Sequence, residues 1–313
     1  MKIAILGSSS KIAKDLIQNF NKNYKENKLF LFARKLSIVE EWILERGFNE
    51  AFNIVQSYTK FNEVEYDVIF NFVGIGDPKK LKELGSKILE ISQYYDQLAT
   101  NYLLKYPKTK YIFISSGAVY GSDNFNNNVR ENSMASININ NANPQEYYAI
   151  SKLYAESIHR SMSDFSIFDI RVFNYIGGNL DINSRFLITD ALRSIKDRGI
   201  LYTSKNNIYR DYIGPSDFFN LVCSLIKVTN VNDCIDCYTQ APSGKFEILN
   251  ELKDKFGLNY KITDTENSNF IGATGSKNNY FSKNLKASKY GYKPSLSSLE
   301  TIVLEINNSK ILD

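Results

Sequence analysis

The feature that most restricts what this chain can fold into is a regular alternation of short apolar runs with amphipathic ones, starting at the second residue. KIAIL (2–6), KLFLFA (28–33), DVIFNFVG (67–74), YIFISSG (111–117) and FSIFDIRVF (165–173) are strand-sized and apolar almost throughout, as strands buried on both faces are. Between them, SKIAKDLIQNF (10–20) follows a Ser cap with helical periodicity, a long helical stretch spans 79–104, and EYYAISKLYAESIHRSM (146–162) is helical again. Such repetition is the pattern of a parallel sheet covered on both faces. It predicts an α/β fold with a doubly wound parallel sheet of the Rossmann type.

Beyond residue 175 the rhythm loosens into helices near 185–197, 216–228 and 245–256 with short strands between them. The expected division is a dinucleotide-binding unit over 1–175, which includes the helix at 146–162, and a smaller lobe over 176–313. That lobe is expected mainly to bind substrate, with some chain returning to the first unit. The segment 122–145 is rich in Asn and Ser and lacks apolar periodicity, so it is expected as a long surface loop.

Composition narrows the partners. The 43% hydrophobic and 23% charged residues are those of a globular protein, and no apolar run approaches the ~20 residues of a bilayer-spanning helix. MKIAILGSSS has neither a signal-peptide core nor a cleavage site, so the expected location is cytoplasmic. A net charge of +4 without any Lys/Arg block argues against a nucleic-acid partner and suits small anionic ligands. Three cysteines and one histidine argue against a disulfide framework and a metal site. The CxxC of Cys234 and Cys237 lies in the strand-like DCIDCYT and is expected to hold buried thiols.

Three motifs carry chemistry. Gly7-Ser8-Ser9-Ser10-Lys11-Ile12 joins the first strand to the first helix, where a tight turn lets a pyrophosphate reach the helix N-terminus. Gly7, Ser9, Ser10, Lys11 and Ile12 are therefore candidate cofactor-binding residues. Only the first glycine of the usual fingerprint is present, with Ser10 and Ala13 at the other two places, so a plain capped helix is the competing reading. The second strand ends in Ala33-Arg34-Lys35. An acid there takes the ribose 2′-hydroxyl of NAD, whereas Arg34 suits the 2′-phosphate, so NADP is expected, with NAD as the alternative. The blander reading of Arg34 is a solvated strand end. The strongest signal is Ser115-Ser116-Gly117-Ala118-Val119-Tyr120-Gly121 at a strand end, followed by Tyr148-Ala149-Ile150-Ser151-Lys152. Tyr148 and Lys152 stand four apart on a helix and share a face. The ammonium is expected to lower the phenol from its usual pKa of about 10 towards a range useful for acid–base work.

In the order SSGAVYG, YAISK, RVFNYIG and RDYIGPSD, the chain resembles the extended short-chain dehydrogenases/reductases, and among them the NAD-dependent epimerase/dehydratase family that acts on nucleotide sugars. The likeness runs on to the KNLKASKYGYKPSLSSLE tail. The resemblance implies that Tyr148 exchanges a proton with a sugar oxygen, that Lys152 holds the nicotinamide ribose, and that Ser116 hydrogen-bonds the reacting oxygen. It places Val73 beside the cofactor and Asn174 and Arg210 at the substrate diphosphate, with a salt bridge to Asp211 or Asp217 as the other role for Arg210. It also implies a homodimer through the helices at 79–104 and 146–162.

Departures from the family pattern shape the expected reaction. Family dehydratases carry Asp-Glu where Gly117 and Ala118 stand, and the type that epimerises carbons 3 and 5 uses a Cys and a His that find no match here. His159 is expected in packing or at the surface, and NIVQSY lacks the acid often found after the third strand. The expected activity is NADPH-dependent reduction of a 4-keto, 6-deoxy nucleotide sugar for a surface polysaccharide. A 4-epimerase with tightly bound NAD is the alternative within enzymes, and an idle NADP-sensing or scaffold protein the alternative outside them.

Overall fold

Along each early strand, successive side chains leave on opposite faces, and both faces are apolar. Ile3, Ile5, Leu29 and Leu31 enter one core, while Ala4, Leu6, Phe30 and Phe32 enter another. A sheet built this way needs cover on both sides. The computed structural model describes residues 1–75, 78–121, 125, 128–142, 144, 146–178, 180–184, 186–263, 278–309 and 311–312.

Seven strands form the central sheet: β1 (Lys2–Leu6), β2 (Lys28–Phe32), β3 (Asn53–Gln56), β4 (Val68–Asn71), β5 (Lys110–Ser116), β6 (Ile167–Val172) and β7 (Asn232–Asp236). All pairs are parallel and the order is β7-β6-β5-β4-β1-β2-β3. Order reverses between β1 and β4, which opens a crevice at their carboxyl ends, where open α/β sheets bind ligands.

The helices are α1 (Lys11–Asn23), α2 (Leu36–Glu45), α3 (Pro78–Leu84), α4 (Lys87–Lys105), α5 (Tyr147–Ser161), α6 (Leu187–Lys196), α7 (Pro215–Ile226), α8 (Lys245–Phe256) and α9 (Ser298–Ser309). The stretch expected as one helix over 79–104 is thus two, broken at Gly85, whose φ is +55°. Residues from α1, α2 and α7 fill one face of the sheet, and residues from α4 and α5 the other. A third core joins α6, α8 and α9 beneath the short parallel pair Leu201–Ser204 and Tyr260–Thr263.

The segment 122–145 is not simply a surface loop where it is described. Phe125 and Val129 are fully buried, and Val129 bridges Ser282 in the C-terminal region. Isolated apolar residues in a polar stretch leave no periodic signal, although each anchors it. Residues 122–124, 126–127, 143 and 145 of that segment lie outside the described residues. Among the described residues, no helix is long and apolar enough to cross a membrane, and no group of three or more His, Cys, Asp or Glu is arranged for a metal.

Candidate active site

The turn after β1 sits at the crevice. Gly7 has φ +73°, and a Cβ there would stand 3.0 Å from both the Phe72 carbonyl carbon and the Val73 nitrogen, so only glycine lets β1 leave so close to the end of β4. Its N–H donates to the Phe32 carbonyl at 3.0 Å and to the Tyr58 hydroxyl at 3.0 Å. Ser10 caps α1, its hydroxyl accepting from Ala13 N at 3.3 Å. Ser9 and Lys11 are exposed, while Ile12 packs on the core. Arg34 is exposed just past β2, and its charge acts on the Tyr58 and Tyr95 phenols, whose rings are 4.6 Å apart. A tight glycine turn onto a helix N-terminus, with an arginine and two aromatic rings beside it, fits the pyrophosphate and adenosine end of a dinucleotide. Tyr58 and Tyr95 escaped sequence reasoning because no motif marks them.

At the other end of the crevice, β5 and α5 bring Ser116, Tyr148 and Lys152 together. Lys152 is 2% exposed. Its ammonium donates to the carbonyls of Ile114 at 2.8 Å and Val73 at 3.3 Å, and lies 4.3 Å from the Phe113 ring centroid. Burial brings its pKa down to about 8, against the pull of Asp96, Asp169 and Glu156. Val73 thus touches the site through its carbonyl. Gly74 leaves room for the Lys152 ammonium, since a Cβ there would stand 3.1 Å from it.

Tyr148 corrects one expectation. Burial holds its phenol above the usual tyrosine range, and only a hydrogen bond with Ser116 pulls the other way. The Lys152 ammonium is 5.8 Å from the Tyr148 ring centroid and donates hydrogen bonds to two carbonyls, so desolvation outweighs it here. Ser116 ends β5 and caps the short turn Gly117–Tyr120, accepting from Ala118 N at 3.2 Å. It also lies 3.3 Å from the hydroxyl of Tyr280, a residue sequence reasoning missed.

In the last turn of α5, His159 is neither at the surface nor mere packing. It is completely buried, with Nδ1 2.6 Å from Asp169 and Nε2 2.9 Å from Asp96. Despite desolvation, the two carboxylates raise its pKa to about 10, so it is a cation at neutral pH. Asp96 also accepts from Tyr111 at 2.8 Å, Tyr111 from Asn71 at 2.8 Å, and Asn71 from Val73 N at 2.9 Å. This chain runs from α5 to Val73, whose carbonyl accepts from Lys152.

Arg210 is 4% exposed on a two-residue strand flanked by Ser243–Gly244 and Asn279–Tyr280. It donates to the carbonyls of Tyr209 at 2.8 Å and Asn278 at 3.3 Å, and its guanidinium carbon is 5.9 Å from the Tyr280 ring centroid. Burial lowers its pKa. Asp211 accepts from Thr239 instead, and Asp217 from Ser295 and Leu296. Asn174 donates to the carbonyls of Asp211 at 3.2 Å and Tyr280 at 3.3 Å, which orders the two strands carrying Arg210 and Tyr280. The thiols expected to be buried differ: Cys237 is buried and Cys234 partly so, and both are free.

The chain matches the NAD dependent epimerase/dehydratase family over residues 5–233. No curated protein matches it. Among solved structures, UDP-glucuronic acid 4-epimerase from Bacillus cereus, in complex with UDP-glucuronic acid and NAD, superposes with a TM-score of 0.78 at 16% identity over 100% of both chains. UDP-glucose 4-epimerase from Bifidobacterium longum, in complex with NAD+ and UDP, gives 0.75 at 18% identity, covering 99% of this chain and 98% of that one. RMD from Pseudomonas aeruginosa, complexed with NADPH, gives 0.74 at 14% identity over 99% of this chain and 100% of that one. At these identities the likeness is one of fold.

Proposed function

The chain belongs to the NAD dependent epimerase/dehydratase family, and from that premise we propose that it is an NADPH-dependent reductase of a 4-keto, 6-deoxy nucleotide-activated sugar. The observation that carries this reading over dehydration lies at residue 117. A Cβ on Gly117 would stand 2.8 Å from Phe173 Cγ and closer still to Cδ1 and Cε1. Phe173 thus fills the place where the first of the two dehydratase acids would project, which supports redox at one carbon over dehydration.

The cofactor, when bound, supplies the hydride. Arg34, exposed beside Tyr58 and Tyr95, would take the 2′-phosphate, and the Gly7–Ile12 turn the pyrophosphate. Ser116 would donate to the substrate ketone, and Tyr148 would protonate the oxygen as it becomes an alkoxide. A phenol held above its usual range by burial is kept in the protonated form that a donor needs. Lys152, with its pKa brought down to about 8, stands one helical turn away to replenish that proton. Arg210 and Asn174 would hold the diphosphate. The reading also expects a homodimer through α4 and α5, whose outer faces expose Tyr94, Leu104 and Tyr154.

The second reading is a 4-epimerase, which needs the same three groups and returns its cofactor unchanged. Cofactor balance separates the two. Incubated with a 4-keto nucleotide sugar, the reductase consumes one NADPH per product, whereas net conversion between two fully hydroxylated sugars without NADPH loss favours the epimerase.

A further inference from the structure

We propose that Tyr280, from the C-terminal region, is a positioning residue of the active site that donates its hydroxyl proton to Ser116 and so fixes Ser116 as a donor towards Tyr148 and the reacting oxygen. The inference rests on the roles given above to Ser116 and Tyr148.

A serine hydroxyl has one proton and two acceptor positions. The Ser116 oxygen already accepts from Ala118 N at 3.2 Å, and the Tyr280 hydroxyl lies 3.3 Å away. With Tyr280 as donor, both acceptor positions are filled and the single Ser116 proton has only outward directions left. Were Ser116 to donate to Tyr280 instead, it would have no proton for Tyr148. Tyr280 keeps its own proton, because burial raises its pKa far above the usual tyrosine range.

The placement is held from several sides. The Tyr280 ring is 4% exposed, with centroids 4.8 Å from Phe125 and 5.3 Å from Phe173. Two residues on, Ser282 donates to Asp236 at 2.5 Å, and Asp236 accepts from Tyr120 at 2.9 Å. Tyr120 accepts from Arg171 at 2.7 Å, and Arg171 pairs at 2.5 Å with Glu156, one turn beyond Lys152 on α5. Ser115, next to Ser116, donates to the same Glu156 at 2.5 Å. One buried network therefore ties the strand bearing Ser116, the helix bearing Tyr148 and the segment bearing Tyr280. Among the described residues, the titratable and charged groups that act on Tyr280 are Tyr148 from α5 and Arg210 from its short strand.

The test compares Tyr280→Phe, Ser116→Ala and the double variant. Phe keeps the ring packed between Phe125 and Phe173, and Tyr280→Leu takes its place if Phe does not fold. Loss of one hydrogen bond predicts a fall in kcat of about three- to tenfold, KM within about twofold, and an upward move of about half a pH unit or more in the limb of the pH–kcat profile that reports Tyr148. In the Ser116→Ala background, Tyr280→Phe should change nothing further. Equal loss in both backgrounds, or an unmoved limb, overturns the inference and leaves Tyr280 as packing. A readout free of turnover is the titration of the Tyr148 ring carbon bearing oxygen, labelled with carbon-13 and assigned by its loss in Tyr148→Phe. Its midpoint should rise in Tyr280→Phe, and an unchanged midpoint refutes the inference. Should no nucleotide sugar be turned over, the reductase reading fails while this titration still decides the role of Tyr280.

Discussion

Gly117→Ala adds one methyl group at the residue whose crowding speaks against dehydration in the proposed reading. The glycine is not needed for its backbone angle; it is needed for its neighbour. Real Cβ atoms do not come within 3.0 Å of another heavy atom, yet this one would stand 2.8 Å from Phe173 Cγ and nearer to two further ring carbons. The Phe173 ring cannot step aside cheaply, since Tyr120, Phe125 and Tyr280 lie around it at centroid distances of 6.3, 6.2 and 5.3 Å. Overpacking a closed cluster of this kind costs about 1–3 kcal/mol, against a total stability of about 5–15 kcal/mol for a typical domain. Urea denaturation followed by circular dichroism should show a lower midpoint with an unchanged slope. Phe173→Leu also destabilises when made alone. Combined with Gly117→Ala it should recover part of the loss, with a coupling of about 0.5–3 kcal/mol. If Gly117→Ala is as stable as the wild type, Phe173 yields easily, residue 117 can hold an acid, and the steric argument against dehydration collapses.

Tyr148→Phe removes the proposed proton donor at almost constant volume, so turnover should fall about a hundredfold or more with an unchanged melting curve; near-normal turnover in a folded variant removes Tyr148 from the chemistry. Arg34→Asp should weaken NADPH binding about ten- to a hundredfold by calorimetry, for a lost charge-assisted pair, and leave NADH affinity equal or better. Glu305 on α9 has its pKa raised to about 7, first by burial and then by the Asp15 charge. An acid raised in the folded state contributes most below its unfolded value and loses that stability as pH climbs towards 7. Glu305→Gln should therefore melt higher than wild type at pH 8 and no higher near pH 4.5, and a pH-independent difference contradicts the assignment.

Much of the fold is legible along the chain because each central strand is a continuous apolar run and each helix a periodic one. The grouping of Ser116, Tyr148 and Lys152 is equally legible, since one residue ends a strand and the other two share a helix face. What stays hidden is whatever depends on contacts between distant segments. Tyr280 meets Ser116 across 164 positions, in a stretch without periodicity. His159 owes its charge to Asp96 on α4 and Asp169 on β6, neither of which carries a motif. Tyr148 misleads for the same reason: spacing places Lys152 beside it, but only the packed structure shows that burial outweighs the ammonium. The role of Gly117 depends on Phe173, which arrives from beyond the end of β6.

Hydride delivery to one sugar carbon is read out by isotope transfer. NADPH carrying deuterium at the transferable position of its nicotinamide is supplied with a panel of 4-keto-6-deoxy nucleotide sugars, and the product is read by mass spectrometry and NMR. One deuterium is expected, at carbon 4, with one NADPH consumed for each product formed. Product without deuterium, or interconversion of two hydroxylated nucleotide sugars by protein that already holds NAD, contradicts the reductase reading.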